Sequence, residues 1–477
     1  MREMTSPVRH SVAVVGAGIS GLATAWWLHR MGIDIIVLEQ DSSAGGTMKT
    51  LFRDGWLIET GPNSALETTP LLRSLSEEAG VVDELVYARP AAENRYILRN
   101  DTLHPLPMAP GPFLRSNLWS FMGKLRLLKE PFVGKALKEE TVAEFVTRRL
   151  GREFLDYAIN PFVAGVYAGD PAELSVQAAF PKLYALEKNY GGLIKGQILG
   201  ARERKKREEK AKDRSRLFAF SRGMETLPGA LARKLGERVR YNVEVASLAP
   251  YPSDGAGHSA SYLVRGSEGG SSLTIQADAV VLAVPAKRAS AILESLSPGL
   301  ANSLKKIYYP PVAEVFLGYA SEEIGRPLDG FGFLVPEREK RKILGTIWTS
   351  AIFAGRTPPG HEALTTFVGG SRQPDLASLD DDALVRLVRE ELGPIMKITS
   401  PPRFAYVSRW REAIPQYNLG HLSIVANLEQ FEKEHPGAVI GGNFRGGIAV
   451  GDCVMNSETT ARRVSSYLQN IRTSAPV

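Results

Sequence analysis

Residues Ser11–Gln40 read SVAVVGAGISGLATAWWLHRMGIDIIVLEQ, and few folds accommodate such a run. Val12 to Val15 form a short apolar segment suited to a buried parallel strand. Gly16, Gly18 and Gly21 follow in the pattern G-x-G-x-x-G, and from Leu22 the apolar spacing turns helical through Ala25, Trp26 and Leu28. His29, Arg30 and Gly32 supply a helix stop. Ile35 to Leu38 form a second strand with Glu39 at its end. Gly16 permits the tight turn, Gly18 lets the backbone approach a pyrophosphate, and Gly21 lets the helix pack closely on the sheet. The free N–H groups and partial positive charge of the helix N-terminus favour phosphate. Glu39 lies 18 residues beyond Gly21, where an acid reaches a ribose hydroxyl. Strand, glycine turn, helix, strand and acid in this order predict a Rossmann-type dinucleotide site.

The same run has the outline of a secretory leader, with Arg2 and Arg9 before it and Ala23-Thr24-Ala25 as a cleavage mimic. Cleavage there would remove all three glycines and orphan Glu39. Three glycines also make a poor apolar core for a leader, so the dinucleotide reading is preferred.

The length of 477 residues predicts two or three domains. With 44% hydrophobic and 23% charged residues, the chain falls in the ordinary globular range. A single cysteine, Cys453, excludes an intrachain disulfide and fits a reducing compartment. No stretch outside the opening run offers the ~20 apolar residues that span a bilayer. The tract Arg202–Arg216 holds nine basic and four acidic residues, nearly all of the net charge of +6. It reads as a solvated helix or mobile insertion with pairs such as Glu203–Arg207 and Glu208–Lys212, the alternative being a contact with anionic lipid. Nucleic acid is not expected, because no aromatic residues interleave the charges.

Ser43–Thr50, SAGGTMKT, carries a Gly-Gly pair that lets the chain pass close under a cofactor, and Glu59–Ser64, ETGPNS, is a second tight loop. This continuation suggests a flavin rather than a nicotinamide. Thr69–Val86 has helical spacing, and Ala92–Pro107 reads as a hairpin turning at Arg99-Asn100-Asp101. Asn117–Leu174 is mostly helical in pattern, interrupted at Pro131 and Pro161. The Gly- and Ser-rich segment leading to Gly270 suggests a hairpin. Ile275–Pro285 is a strand expected to return to the dinucleotide sheet. Further strands are expected at Ala313–Gly318, Phe333–Val335, Leu344–Thr349 and Ala363–Gly369. Ala438–Val450 runs from a strand into a glycine-rich turn. Gly451-Asp452 then precedes a helix from about Asn456 to Leu468, so both chain ends are expected to share the cofactor domain. No Ser/His/Asp order, CxxC or HExxH stands out. His104 and His421 are isolated, and no metal site is expected.

The pieces VAVVGAGISGLA, ETGPNS, AAENRYI, GVYAGDPAELSV, FPKL, GFGFLVP, IPQYNLGH and GGIAVGDC together resemble the oxygen-dependent protoporphyrinogen oxidases of haem biosynthesis, within the flavin amine oxidase superfamily. The resemblance covers almost the whole chain. The flavin motifs are specific only to the superfamily, whereas GVYAGD and IPQYNLGH in this order are specific to porphyrinogen oxidases. It implies an α/β, amine-oxidase-like architecture with three parts. These are a discontinuous Rossmann-type FAD domain (9–90, 216–290 and 436–477), a helical membrane-associating domain with the basic insertion (91–215), and a mixed-sheet substrate domain (291–435). It implies FAD binding by Gly16, Ala17, Gly18, Ile19, Ser20 and Gly21, by Glu39, Gln40, Gly46 and Thr47, and by Gly61, Pro62, Asn63 and Ser64. It further implies Val245 near the adenine, Trp410 at the cofactor, and Ile448, Ala449 and Val450 at the flavin end.

For the substrate, the resemblance implies Arg95 as a propionate partner and the Gly165 carbonyl facing the pyrrole N–H groups. Leu334, Ile347 and Phe367 would sandwich the macrocycle, and Asn63 is the candidate catalytic residue. The implied activity is the oxidation of protoporphyrinogen IX to protoporphyrin IX by three hydride removals, with O2 as acceptor and H2O2 as by-product. A cytoplasmic protein, peripheral on the cytoplasmic face of the membrane, is expected, as are a homodimer and a hand-off to a downstream chelatase. The alternatives are a coproporphyrinogen III oxidase of the same family, an amine or carotenoid oxidoreductase, and a non-enzymatic flavin-binding or scaffold protein. Two departures stand out: Ser43-Ala44-Gly45-Gly46 replaces the usual R-L-G-G, and the basic insertion is longer than expected.

Overall fold

The computed structural model describes residues 8–206, 216–251 and 261–473. The opening strand Val8–Val15 sits in the middle of a seven-stranded sheet. It pairs in parallel with Ile35–Leu38 on one side and with Ser271–Leu282 on the other. Val12, Ala13, Val14 and Val15 are buried, as a central parallel strand covered on both faces requires. The expected return of Ile275–Pro285 is thus met by Ser271–Leu282. Ala438–Ile440 adds in parallel beside it, so the chain's late part rejoins the first sheet. Val243–Tyr251, Ser261–Glu268 and Ser271–Leu282 form an antiparallel meander on this sheet.

A second seven-stranded sheet runs in the order Phe404–Trp410, Val312–Ala320, His361–Gly369, Gly345–Ile347, Gly332–Leu334, Arg95–Arg99 and Thr102–Pro105. The hairpin Arg95–Pro105 turns through Asn100 and Asp101, both with positive φ (49° and 58°). Asn and Asp tolerate that left-handed region better than most residues. Its first strand pairs in parallel with Gly332–Leu334, so the hairpin extends the second sheet. The helical part therefore starts later than residue 91, with the helix Pro110–Arg115.

Within that part, Thr141 and Glu144 form a reciprocal capping box that starts the helix Val142–Arg149. Arg149 at its end is fully buried and pairs with Glu130 at 3.1 Å and Glu187 at 2.5 Å. Removing one partner of such a pair costs about 3–5 kcal/mol. Two local expectations are corrected. The helix expected over Thr69–Val86 spans Pro70–Ala79, ends at Gly80 in the left-handed region (φ 77°), and gives way to the strand Leu85–Tyr87. The late helix starts earlier than Asn456 and spans Val450–Thr473, its first turn closed where Cys453 N donates to the Ala449 carbonyl at 2.9 Å. The helix Leu193–Lys206 runs into the basic tract, whose residues 207–215 lie outside the described residues, as do 252–260 of the Gly/Ser-rich segment.

Candidate functional site

The glycine turn shapes one end of a cavity of about 1250 Å³. Gly16 has φ +100°, and a Cβ there would stand 2.6 Å from the Ala283 carbonyl. At Gly21 a Cβ would lie 1.9 Å from the Gly16 carbonyl, so this glycine sets the contact between helix and turn. Gly18 differs: its nearest neighbour to an added Cβ is the Gly46 Cα at 3.9 Å, and its free side lines the cavity. Gly18 also N-caps the helix Ile19–Arg30 without any side-chain cap, leaving N–H groups for an anion. Glu39 is buried and accepts from Ala17 N (2.6 Å) and Asp41 N (2.9 Å), which fixes its carboxylate at the cavity edge beside Gln40.

The loops that follow close over this cradle. Gly18 and Gly45 form a parallel bridge, and a Cβ on Gly61 would meet the Thr47 carbonyl at 2.0 Å. Gly46, Thr47, Gly61, Pro62 and Ser64 line the cavity, as does Val245 further along. Trp410 lines it too and donates from Nε1 to the Thr60 carbonyl. Ile448, Ala449 and Val450 bring a second helix N-terminus to the same space. The two helices are tied where Ser457 Oγ donates to the Ser20 carbonyl at 2.9 Å. The cation missing at position 43 has a counterpart: Lys49 lines the cavity, and its Nζ donates to Ser43 Oγ (2.6 Å) and the Ala44 carbonyl (2.5 Å). A cradle open at Gly18, two helix N-termini and an acid at the ribose position fit FAD.

Beyond this end the wall becomes apolar, formed by Ala164, Gly165, Ala168, Val312, Leu344 and Phe367. Gly165 packs against Leu334, whose Cδ2 lies 2.5 Å from where a Cβ would stand. Strand register puts Arg95, Gly332, Ile347 and Thr365 in one row of the second sheet, and Ile97, Leu334, Gly345 and Phe367 in a row on the same face. The expected substrate residues thus share a face, but only Gly165 and Phe367 line the cavity. Arg95 is exposed, its guanidinium 5.6 Å from the Phe331 ring centre and 3.4 Å from the Glu93 carbonyl. Ala17 and Gly21 act from behind the cradle rather than on the cavity surface.

Asn63 also stands back from the lining, where its Nδ2 donates to the Gly61 carbonyl (3.1 Å) and reaches Glu314 Oε2 at 3.5 Å. Glu314 lines the cavity and is 6% exposed, in a strand buried throughout. Burial lifts its carboxyl to about 8; Asn63 pulls it down and the Glu59 carboxyl pushes it up. Glu59 is buried as well. It accepts from Thr50 Oγ1 (2.6 Å), Met224 N (3.0 Å) and Arg356 Nη1 (3.1 Å), and burial lifts it to about 7 against these donors. Glu314, Glu59, Arg356 and Lys49 were not among the expected site residues. For Glu314 a signal was available: a lone acid inside the apolar run VAEVFLGYA. Among the described residues no cluster of His, Cys, Asp or Glu could hold a metal ion.

The family model "Flavin containing amine oxidoreductase" matches residues 19–465. Protoporphyrinogen oxidase 2 of Arabidopsis thaliana is 32% identical over 481 residues, covering 96% of this chain and 94% of that one. Coproporphyrinogen III oxidase of Bacillus subtilis is 28% identical over 475 residues, covering 96% and 98%. A crystal structure from Exiguobacterium sp. 255-15 shares the fold, with a TM-score of 0.78 at 24% identity over 98% of this chain and 100% of that one.

Proposed function

The chain belongs to the flavin-containing amine oxidoreductases, with FAD as cofactor, and within that family we propose that it oxidises protoporphyrinogen IX to protoporphyrin IX with dioxygen as acceptor. The observation that carries this reading is the continuity of one cavity from the phosphate cradle at Gly18 to the apolar slot at Gly165 and Phe367. Its volume of about 1250 Å³ exceeds the roughly 300–1000 Å³ usual for one small ligand, which leaves room for a flat substrate beside the cofactor. Bound FAD supplies hydride acceptance, and dioxygen restores it with release of hydrogen peroxide. The protein's own part is to hold the macrocycle flat between Gly165 and Phe367 and to keep bulk water out.

The charge pattern favours the substrate with fewer carboxylates. Among the described residues the basic groups lining the cavity are Lys49, Lys287 and Arg288. Each is paired with a carboxylate, on Glu225, Glu412 and Glu244 respectively. A tetracarboxylate such as coproporphyrinogen III would call for unpaired cations at the slot. Comparing aerobic turnover of the two porphyrinogens, followed by porphyrin fluorescence, tests this. Turnover of coproporphyrinogen III alone would reassign the substrate, and turnover of neither would overturn the reading.

The helical part also supports a contact with the membrane surface. Leu114, Phe121, Met122, Leu128, Phe132 and Leu137 stand 69–104% exposed among Arg115, Lys124, Lys129 and Lys135. Apolar side chains of this exposure on one region, rimmed by cations, suit an anionic lipid interface. Phe162 and Val166 of the same helical part are also exposed, and Val166 lines the cavity. No described helix is long and apolar enough to cross a bilayer.

A further inference from the structure

We propose that Glu314 is the proton acceptor for the substrate's pyrrole N–H groups, with Asn63 as its positioning partner. The inference rests on the porphyrinogen reading above. Three features of the site lead to it. First, Glu314 sits in the sheet row of Phe367 and Ser408 and lines the cavity on the face that carries Leu334 and Ile347. Second, it is buried, and among the described residues it forms no ion pair and one side-chain hydrogen bond, from the Asn63 amide at 3.5 Å. The charge acting on it, that of the Glu59 carboxylate, is repulsive, and Glu59 is itself held by Arg356. Third, the Asn63 Oδ1 beside it is buried and has no hydrogen-bond partner. A carboxyl group on the cavity wall that is short of donors fits a ligand that presents N–H groups, with the Asn63 amide behind it.

A packing role does not account for these features. In a buried strand an apolar residue at 314 would avoid the desolvation that an acid incurs there. Groups whose surroundings push them away from their ordinary ionisation gather at sites that move protons. A porphyrinogen needs such a group. With FAD bound as hydride acceptor, each two-electron oxidation would remove a hydride from a bridging carbon and leave a cationic ring system. A pyrrole N–H bond then breaks, its electron pair completing a C=N bond, and the proton bonds to a Glu314 carboxylate oxygen. Glu314 releases that proton to water before the next round, and dioxygen takes up the hydride equivalents. Of the other acids lining the cavity, Glu39 holds the glycine loop, Glu412 pairs with Lys287, and Asp41 follows Glu39 at the ribose end, so Glu314 is the acid placed in the sheet row of Phe367.

The test combines kinetics with an optical readout on the FAD-loaded enzyme. In wild type, kcat/KM for protoporphyrinogen should rise with pH to a plateau above about 8. Glu314→Gln should lower kcat by about a hundredfold, leave KM within about twofold, and remove this rise. Glu314→Asp should restore part of the rate together with the rise. Asn63→Ala should move the rise to higher pH, because the amide that steadies the carboxylate is gone. Independently of turnover, infrared difference spectra of wild type minus Glu314→Gln should show a protonated carboxyl at neutral pH that is lost above about 8. An active wild type with Glu314→Gln equal to it in rate and pH profile overturns the role of Glu314 alone. The same holds if the pH at which the Glu314 carboxyl band is lost in the difference spectra does not match the pH at which the rate rises. A wild type that oxidises neither porphyrinogen overturns the functional reading and this role with it.

Discussion

The Glu59 carboxylate and the Arg356 guanidinium meet at 3.1 Å, both almost sealed from solvent and 297 residues apart in sequence. Glu59 ends the strand Trp56–Glu59 just before the GPNS loop, and Arg356 lies between two elements of the second sheet's layer. Arg356 also donates to the Phe220 carbonyl at 3.2 Å, so one side chain ties three distant segments together.

Arg356→Met should therefore destabilise the fold by about 3–5 kcal/mol, because it leaves Glu59 buried and uncompensated. The double variant Glu59→Gln, Arg356→Met should recover most of that loss. Urea unfolding of the three proteins checks this. An Arg356→Met variant as stable as wild type would show that the pair contributes nothing net.

Stability should fall as pH rises through neutrality. Glu59 and Glu314 both ionise higher in the folded chain, at about 7 and about 8, than the ordinary value of 4.5. The folded state thus binds more protons than the unfolded one between these limits, and unfolding gains from deprotonation as pH rises. Each group's contribution is complete below about 4.5 and is lost as pH passes its folded value. Glu314→Gln should flatten the Tm profile between pH 5 and 8 and leave the variant more stable than wild type at the alkaline end, by on the order of 1 kcal/mol or more. A parallel Tm profile in the two proteins would contradict the raised ionisation of Glu314.

The glycines of the cradle should separate binding from folding. Gly18 has φ −72°, ordinary backbone for any residue, and open space where a Cβ would stand. Gly18→Val should fold with near-wild-type stability as apoprotein and bind no FAD. Gly21→Ala drives a methyl into the Gly16 carbonyl and should cost about 1–3 kcal/mol before any cofactor is added. Flavin absorbance and apoprotein melting, measured together, decide this. Stoichiometric flavin in Gly18→Val would misplace the phosphate.

The first sheet and its cradle were legible because their signals are local. In Ser11–Gln40, strand, turn and helix lie within one βαβ-type unit, and each glycine has a backbone reason. The second sheet was legible only as separate strands. The pairing of Arg95–Arg99 with Gly332–Leu334 spans more than 230 residues and depends on packing that no local pattern encodes. That is also why the face shared by Arg95, Leu334, Ile347 and Phe367 emerges from register rather than from spacing. Glu314 carries a signal in the sequence, one acid in an apolar strand, but that signal equally fits an edge or surface position until both faces prove covered. The helix begins at Val450 rather than near Asn456 because Gly451-Asp452, a turn signal in the sequence, lies in its first turn.

The exposed apolar group of the helical part should govern lipid binding without affecting the fold. Phe121 is 73% exposed and Phe132 is 88% exposed, so neither supports a core. Phe121→Asp with Phe132→Asp should reduce co-sedimentation with anionic vesicles at least tenfold, since each ring inserted in the interface contributes on the order of 2 kcal/mol. Tm and turnover of detergent-dispersed substrate should stay at wild-type levels. Unchanged vesicle binding would show that these side chains face water or another protein.

Arg95 provides the sharpest check on the substrate. It belongs to the same sheet face as Leu334 and Phe367 yet remains exposed, engaged among the described residues only by the Glu93 carbonyl and the Phe331 ring. A guanidinium so placed is free to turn toward a propionate that projects from the slot, and it would do so without breaking an ion pair. Arg95→Ala should then raise KM for protoporphyrinogen about tenfold, the equivalent of one charge-assisted hydrogen bond of ~1.5 kcal/mol, with kcat, FAD content and Tm nearly constant. Arg95→Lys should recover only part of the loss, because an ammonium lacks the planar fork that grips both carboxylate oxygens. A porphyrinogen ester without free carboxylates should be oxidised equally by wild type and Arg95→Ala. If the ester suffers the same loss as the acid, Arg95 acts on the strand Arg95–Arg99 and its neighbours, and the carboxylate anchor must be sought elsewhere at the cavity mouth.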